Sequence, residues 1–153
     1  MITEDYVSFE TAKLLKKKGF DGPCYKVWES YGDSQTLVGA PWFVEGETIV
    51  KRESVDAAAK QYVYEYNLNN NVEGYLAPTL QMTMKWLREI YKLEVRSTYD
   101  YDKDSWWGNI NPMFEETDEN SDIYQKALRF DYQGKSYEQA CEATIKYCLE
   151  NLI

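Results

Sequence analysis

Cys141, Ile145, Cys148, Leu149 and Leu152 recur at the spacing of a helix with one apolar face. Ser136, with Gln139 three residues later, forms a capping box ahead of them, so the start of this helix is written locally. An apolar stripe of this kind is stable only when another layer covers it. Leu93, Val95 and Tyr99 alternate with Glu94, Arg96 and Thr98, the period of a strand buried on one side, and such strands supply that layer. Together these patterns predict an α+β fold, a largely antiparallel sheet with three or four amphipathic helices packed on it. The 153 residues correspond to a single domain, 1–153.

Further elements follow from local punctuation. Ser8 stands as an N-cap before Phe9, Ala12 and Leu15, and Lys16-Lys17-Lys18 places positive charge at the carbonyl end of that helix. Gly19 followed by Phe20 predicts a Schellman ending in which Phe20 folds back toward Leu15. Cys24 to Tyr31 reads as a strand, with Tyr25, Val27 and Tyr31 on one side. A second strand runs from Thr36 through Phe43 and Val44 with a break at Pro41, and Thr48-Ile49-Val50 follows the turn at Gly46. Val55, Ala58, Ala59, Tyr62, Val63 and Tyr66 suit a helix capped by Ser54, and the Tyr and Val content suits a strand equally well. Pro78 takes a first helical position ahead of Leu80, Met84, Leu87 and Tyr91, with Trp86 and Ile90 beside that stripe. The stretch from Asp100 to Asp122 reads as polar and irregular, with residues 115–122 a mobile acidic loop. Tyr124, Leu128, Phe130 and Tyr132 then read as a strand ended by Gln133-Gly134-Lys135.

The composition narrows function. Seventeen basic against 26 acidic residues give a net charge of -9, which argues against direct contact with nucleic acid or a membrane surface. No histidine is present, which removes the commonest general base and metal ligand and every Ser/His or Cys/His arrangement. Cys24, Cys141 and Cys148 form no close pair, so neither a disulfide framework nor a Cys-x-x-Cys site is available, and a reducing, cytoplasmic setting is expected. The acidic opening Glu4-Asp5 is unlike a signal peptide, and no apolar run reaches the roughly 20 residues a membrane span needs. Cys141 and Cys148 share a helix face with Leu149 and Leu152 and read as core packing. No phosphate-cradling glycine loop or nucleophile elbow is found, so catalysis is disfavoured and no catalytic residue is assigned, a hydrolase built from carboxylates alone being the enzymatic alternative left open.

Two local patterns could carry binding. Asp100, Asp102 and Asp104 place carboxylates at alternate positions, as calcium loops do, although Ser105 and Asn111 stand where such a loop carries its Gly and its bidentate Glu. Calcium is therefore the one cofactor candidate. Trp106 and Trp107, with Tyr101 nearby, could form an aromatic surface for a sugar, a small ligand or a protein partner. On a strand, neighbouring side chains point to opposite faces, which favours one buried and one half-exposed tryptophan.

Three blocks also resemble one family. They are Ile2-Thr3-Glu4-Asp5-Tyr6-Val7-Ser8-Phe9-Glu10-Thr11-Ala12-Lys13-Leu14-Leu15 with Lys18-Gly19-Phe20-Asp21, then Ala77-Pro78-Thr79-Leu80-Gln81-Met82 with Lys85-Trp86-Leu87-Arg88-Glu89, and Ser136-Tyr137-Glu138-Gln139-Ala140-Cys141-Glu142-Ala143 with Glu150-Asn151-Leu152-Ile153. The chain thus resembles a family of small proteins of gut anaerobes and their phages and mobile elements, for which no activity is established. The resemblance implies a shared scaffold, with variable inserts at about 36–74 and 100–122. The leading functional expectation is a non-enzymatic accessory protein of a mobile element or its host that contacts another protein. One alternative is a small-ligand or carbohydrate-binding module built on Trp106 and Trp107. Another is an acidic DNA mimic that inhibits a defence protein, since five of the 26 acids fall in residues 115–122.

Overall fold

The helix behind Ser8 is α1 (Phe9–Lys17) in the computed structural model, which describes residues 5–22, 24, 26–31, 33–39, 73–117 and 121–153. Ser8 Oγ accepts from the Thr11 N–H at 3.2 Å. At the other end Gly19 sits at φ +76°, where a Cβ would be strained. The Phe20 N–H donates to the Leu15 carbonyl at 3.0 Å and the Gly19 N–H to that of Lys16 at 3.2 Å, the paired bonds of a Schellman ending. Phe20 and Leu15 are both buried, as that motif requires.

The fold is α+β, with four helices and two three-stranded antiparallel sheets among the described residues. These fall into two compact units. In the unit Tyr6–Thr79, β1 (Lys26–Tyr31) is the central strand, flanked by β2 (Ser34–Gly39) and β3 (Glu73–Leu76). Trp28 stands opposite Leu37 on one side and Tyr75 on the other. The Phe9 ring meets Trp28 and Tyr75 edge-on at 6.2 and 5.4 Å, which seats α1 on this sheet. The strand signals through Phe43, Val44 and Thr48-Ile49-Val50, and the segment from Ser54 to Tyr66, lie outside the described residues.

The second unit contains Leu80–Ile153. Its elements are α2 (Leu80–Tyr91), β4 (Leu93–Asp100), β5 (Ser105–Pro112), α3 (Ser121–Arg129), β6 (Asp131–Gly134) and α4 (Tyr137–Asn151). The strands form a meander, β4-β5-β6, with α4 against all three and α2 against β4. Leu87, Leu93, Ile145 and Leu149 are almost wholly buried, each such side chain contributing about 1.5–3 kcal/mol of transfer free energy. The N-cap half of the box holds, with Ser136 Oγ accepting from the Gln139 N–H at 3.1 Å, while Gln139 Oε1 reaches one residue further back than the box predicts, to the Lys135 N–H at 3.0 Å. Sheet and helix approach closely at Gly108, where an added Cβ would lie 2.2 Å from Thr144 Oγ1 and 2.8 Å from the Ala140 carbonyl oxygen.

Three expectations change here. Helix α2 begins at Leu80, not Pro78, because the Pro78 carbonyl accepts from the Val7 N–H at 3.0 Å and Thr79 forms a bridge with Tyr6, which keeps the chain extended. Residues 105–112, inside the stretch read as irregular, form β5, the central strand of this sheet. Residues 121–129, read in part as an acidic loop and in part as a strand, form α3. Ala127 is buried on that helix while Leu128 is half exposed, and Lys126 pairs with Asp122 one turn earlier at 2.7 Å. Only residues 131–134 of the expected strand are extended. Glu115 to Thr117 carry no regular structure. None of the helices of the described residues is long and apolar enough to cross a membrane.

Candidate functional site

The sequence-predicted site residues all lie on or beside the hairpin of β4 and β5. Asp100 pairs with Ser105, so the four residues Tyr101 to Asp104 make the turn. The Asp100 carboxylate organises it: Oδ1 accepts from the Asp102 N–H at 3.0 Å and the Lys103 N–H at 3.4 Å, an Asx-turn. Its Oδ2 accepts from the Trp107 indole N–H at 2.8 Å. These donors favour the charged form, the indole most of all, and hold the Asp100 carboxyl below the ordinary aspartate range. The turn closes at Asp104, where φ of 48° is the left-handed conformation Asp tolerates better than most residues. The Asp104 carboxylate accepts the Tyr99 hydroxyl, and this pushes the phenol above its usual range.

Register assigns the two tryptophans to opposite faces. Trp106 stands opposite Tyr99 and Trp107 opposite Thr98. Trp106 joins a chain of rings, tilted against Tyr99 at 5.3 Å on one side and edge-on to Tyr137 of α4 at 5.4 Å on the other. Tyr137 in turn accepts from Gln81 Nε2 of α2 at 3.1 Å. Trp107 lies on the open face, beside Gln133 of β6 and Thr98 of β4, with Asn109 and Arg96 the next pair along. The Lys103 ammonium sits over its ring, 4.9 Å from the centroid. Tyr101, at the apex, is 88% exposed and rests edge-on against Tyr99 at 4.9 Å.

The three turn carboxylates are close in sequence but differ in use. Asp100 faces three N–H donors and Asp104 a hydroxyl, whereas calcium takes six to eight oxygen ligands. Among the described residues, no three Cys, Asp or Glu side chains gather as a ligand set. The thiols are buried; burial pushes Cys148 up to about 12 and Cys141 upward as well, so neither is a thiolate at neutral pH.

Sequence reasoning passes over Tyr99, Lys103, Asn109 and Gln133. A signal for the Asn109 face was present: Trp106, Gly108 and Ile110 alternate with Trp107, Asn109 and Asn111, a strand period masked by a glycine on the buried face. No family model, curated protein or solved structure matches this chain.

Proposed function

We propose that this chain is a non-enzymatic binding module that contacts another protein through the apex and open face of the β4–β5 hairpin. The observation that carries this reading is Tyr101, a large aromatic side chain 88% exposed on a turn braced from within by Asp100, Asp104 and Tyr99. Tyrosine is enriched among residues that dominate protein interfaces, and a turn ordered before contact loses little entropy on binding. Trp107 and Lys103 extend the surface beside it. Described acids are interleaved with cations, as in Glu94–Arg96 and Asp122–Lys126, which favours a partner with mixed polarity over a nucleic-acid-binding protein met by a DNA mimic. The sequence resemblance would place such a module among the accessory proteins of a mobile element or its host.

A carbohydrate reading draws on the open-face Trp107 alone, because Trp106 is enclosed by Tyr99 and Tyr137. Lys103 over the Trp107 ring makes that platform less favourable than the protein reading. The test is affinity capture from the native host with immobilised wild type, Tyr101→Ala and, as a control on a distant exposed position, Leu128→Ala. Loss of a central interface aromatic costs about 2 kcal/mol or more, roughly thirtyfold in affinity. A stoichiometric partner should vanish with Tyr101→Ala and persist with Leu128→Ala, while both variants melt like the wild type. Retention by Tyr101→Ala would remove the hairpin from the proposal.

A further inference from the structure

Tyr137, Trp106, Tyr99 and Tyr101 run in contact from α4 to the tip of the β4–β5 turn. Their ring centroids are 5.4, 5.3 and 4.9 Å apart in that order. All are indoles or phenols, side chains that can give up a single electron, and a row of them at contact distance lets an electron vacancy move from ring to ring. Tyr101, at the outer end, is 88% exposed.

The two ends differ in what takes a proton. An oxidised phenol is a strong acid, so a phenol yields its electron most easily where a base already holds its proton. Tyr99 has such a base, because its hydroxyl donates to the Asp104 carboxylate. Tyr101 has water. Tyr137 is placed less favourably: its hydroxyl accepts from Gln81 Nε2 and is hydrogen-bonded to the Cys141 thiol, which is wholly buried and which burial keeps protonated. The preferred direction is therefore outward.

We infer that this row is an exit path for one-electron oxidation, and that Tyr101 is the residue on which an oxidising equivalent taken up at Trp106 comes to rest. The oxidant is a small inorganic radical. Trp106 gives it one electron and releases the indole proton to water. Tyr99 then passes one electron to Trp106 and its phenol proton to Asp104, while the indole N–H is restored by a proton from water. Finally Tyr101 passes one electron to Tyr99, which takes its proton back from Asp104, and the Tyr101 proton goes to water. The net loss is one electron and one proton, both from Tyr101. The phenoxyl radical then stands at the surface, where dissolved reductants reach it, and not beside the buried Cys141.

Azide radicals, generated by radiolysis in a dilute solution of the full chain, test this, because they oxidise indole faster than phenol at neutral pH. Peptide mapping reads where the oxidised products accumulate. In wild type they should accumulate at Tyr101 and spare Trp106, with a ratio independent of protein concentration. Tyr99→Phe keeps the ring and removes the relay, and should raise the ratio of Trp106 to Tyr101 products several-fold. Asp104→Asn keeps a residue that tolerates the left-handed turn and removes the base, and should move the ratio the same way. Trp107→Phe, on the other face, should leave it as in wild type. Wild-type products concentrated at Trp106, a ratio unmoved by Tyr99→Phe, one moved as far by Trp107→Phe, or one that changes with protein concentration would each overturn the inference.

Discussion

The β4–β5 hairpin has two faces made from alternate residues of the same strands, and they differ in almost every physical respect. On one, Trp106 meets Tyr137 of α4, Gly108 lies so close to Thr144 and Ala140 that no methyl group would fit, and Ile110 is buried. On the other, Arg96, Thr98, Trp107, Asn109 and Gln133 face solvent and each other. Two tryptophans adjacent in sequence thus have separate surroundings, one packed against α4 and one beside Asp100 and Lys103 on the other face. Tightness on the packed face holds the strands in register, and that register orders the open face and the turn between them.

The largest way to break the contrast is at Gly108. Gly108→Val places its side chain into Thr144 and Ala140, and overpacking of this kind costs about 3 kcal/mol or more. Asn109→Val, one residue away on the exposed face, should change stability by less than roughly 0.5 kcal/mol. Urea unfolding of the two variants measures both, and equal losses would show that the faces do not differ.

Smaller effects separate the tryptophans. Trp106→Ala removes a ring held between Tyr99 and Tyr137 and should cost about 2–3 kcal/mol. Trp107→Ala removes one indole hydrogen bond and partial burial, about 1 kcal/mol. Thermal melting of both decides the order, and a reversed order would move the core contact to Trp107.

The smallest effect is protonic. The folded-state pKa of Asp100 is depressed, so its contribution is complete above the ordinary aspartate value and is lost as pH falls through the depressed one. The Trp107 indole N–H resonance should stay fixed through mildly acidic pH and shift only in strong acid. In Asp100→Asn that acid shift should be absent. A wild-type resonance that moves in the range of a free aspartate would sever Asp100 from the turn.

How much of this could be read in advance varied with distance along the chain. The ends of α1 and α4 were legible because Ser8, Gly19 and Ser136 act on backbone groups within a turn of themselves. The β4 strand was legible from its alternation, and the nearness of Asp100, Tyr101 and Trp107 followed from their sequence spacing. The β5 strand was not. Its buried face contains a glycine and its open face two asparagines, so apolar content gave no sign of a central strand. The strand signal over Tyr124 to Tyr132 failed for a related reason: Tyr124 and Leu128 are four apart and Phe130 and Tyr132 two apart, so helix and strand periods both fit.

The α+β character, the caps and the lack of histidine chemistry are properties of short windows or of composition, and the sequence by itself determined them. Which tryptophan packs against α4 and what the turn carboxylates bind depend on the pairing of Asp100 with Ser105 and the seating of α4 on Gly108. Only the tertiary structure decided these, because a register is chosen by contacts among residues far apart in the chain, and a shift of one position would exchange the two faces.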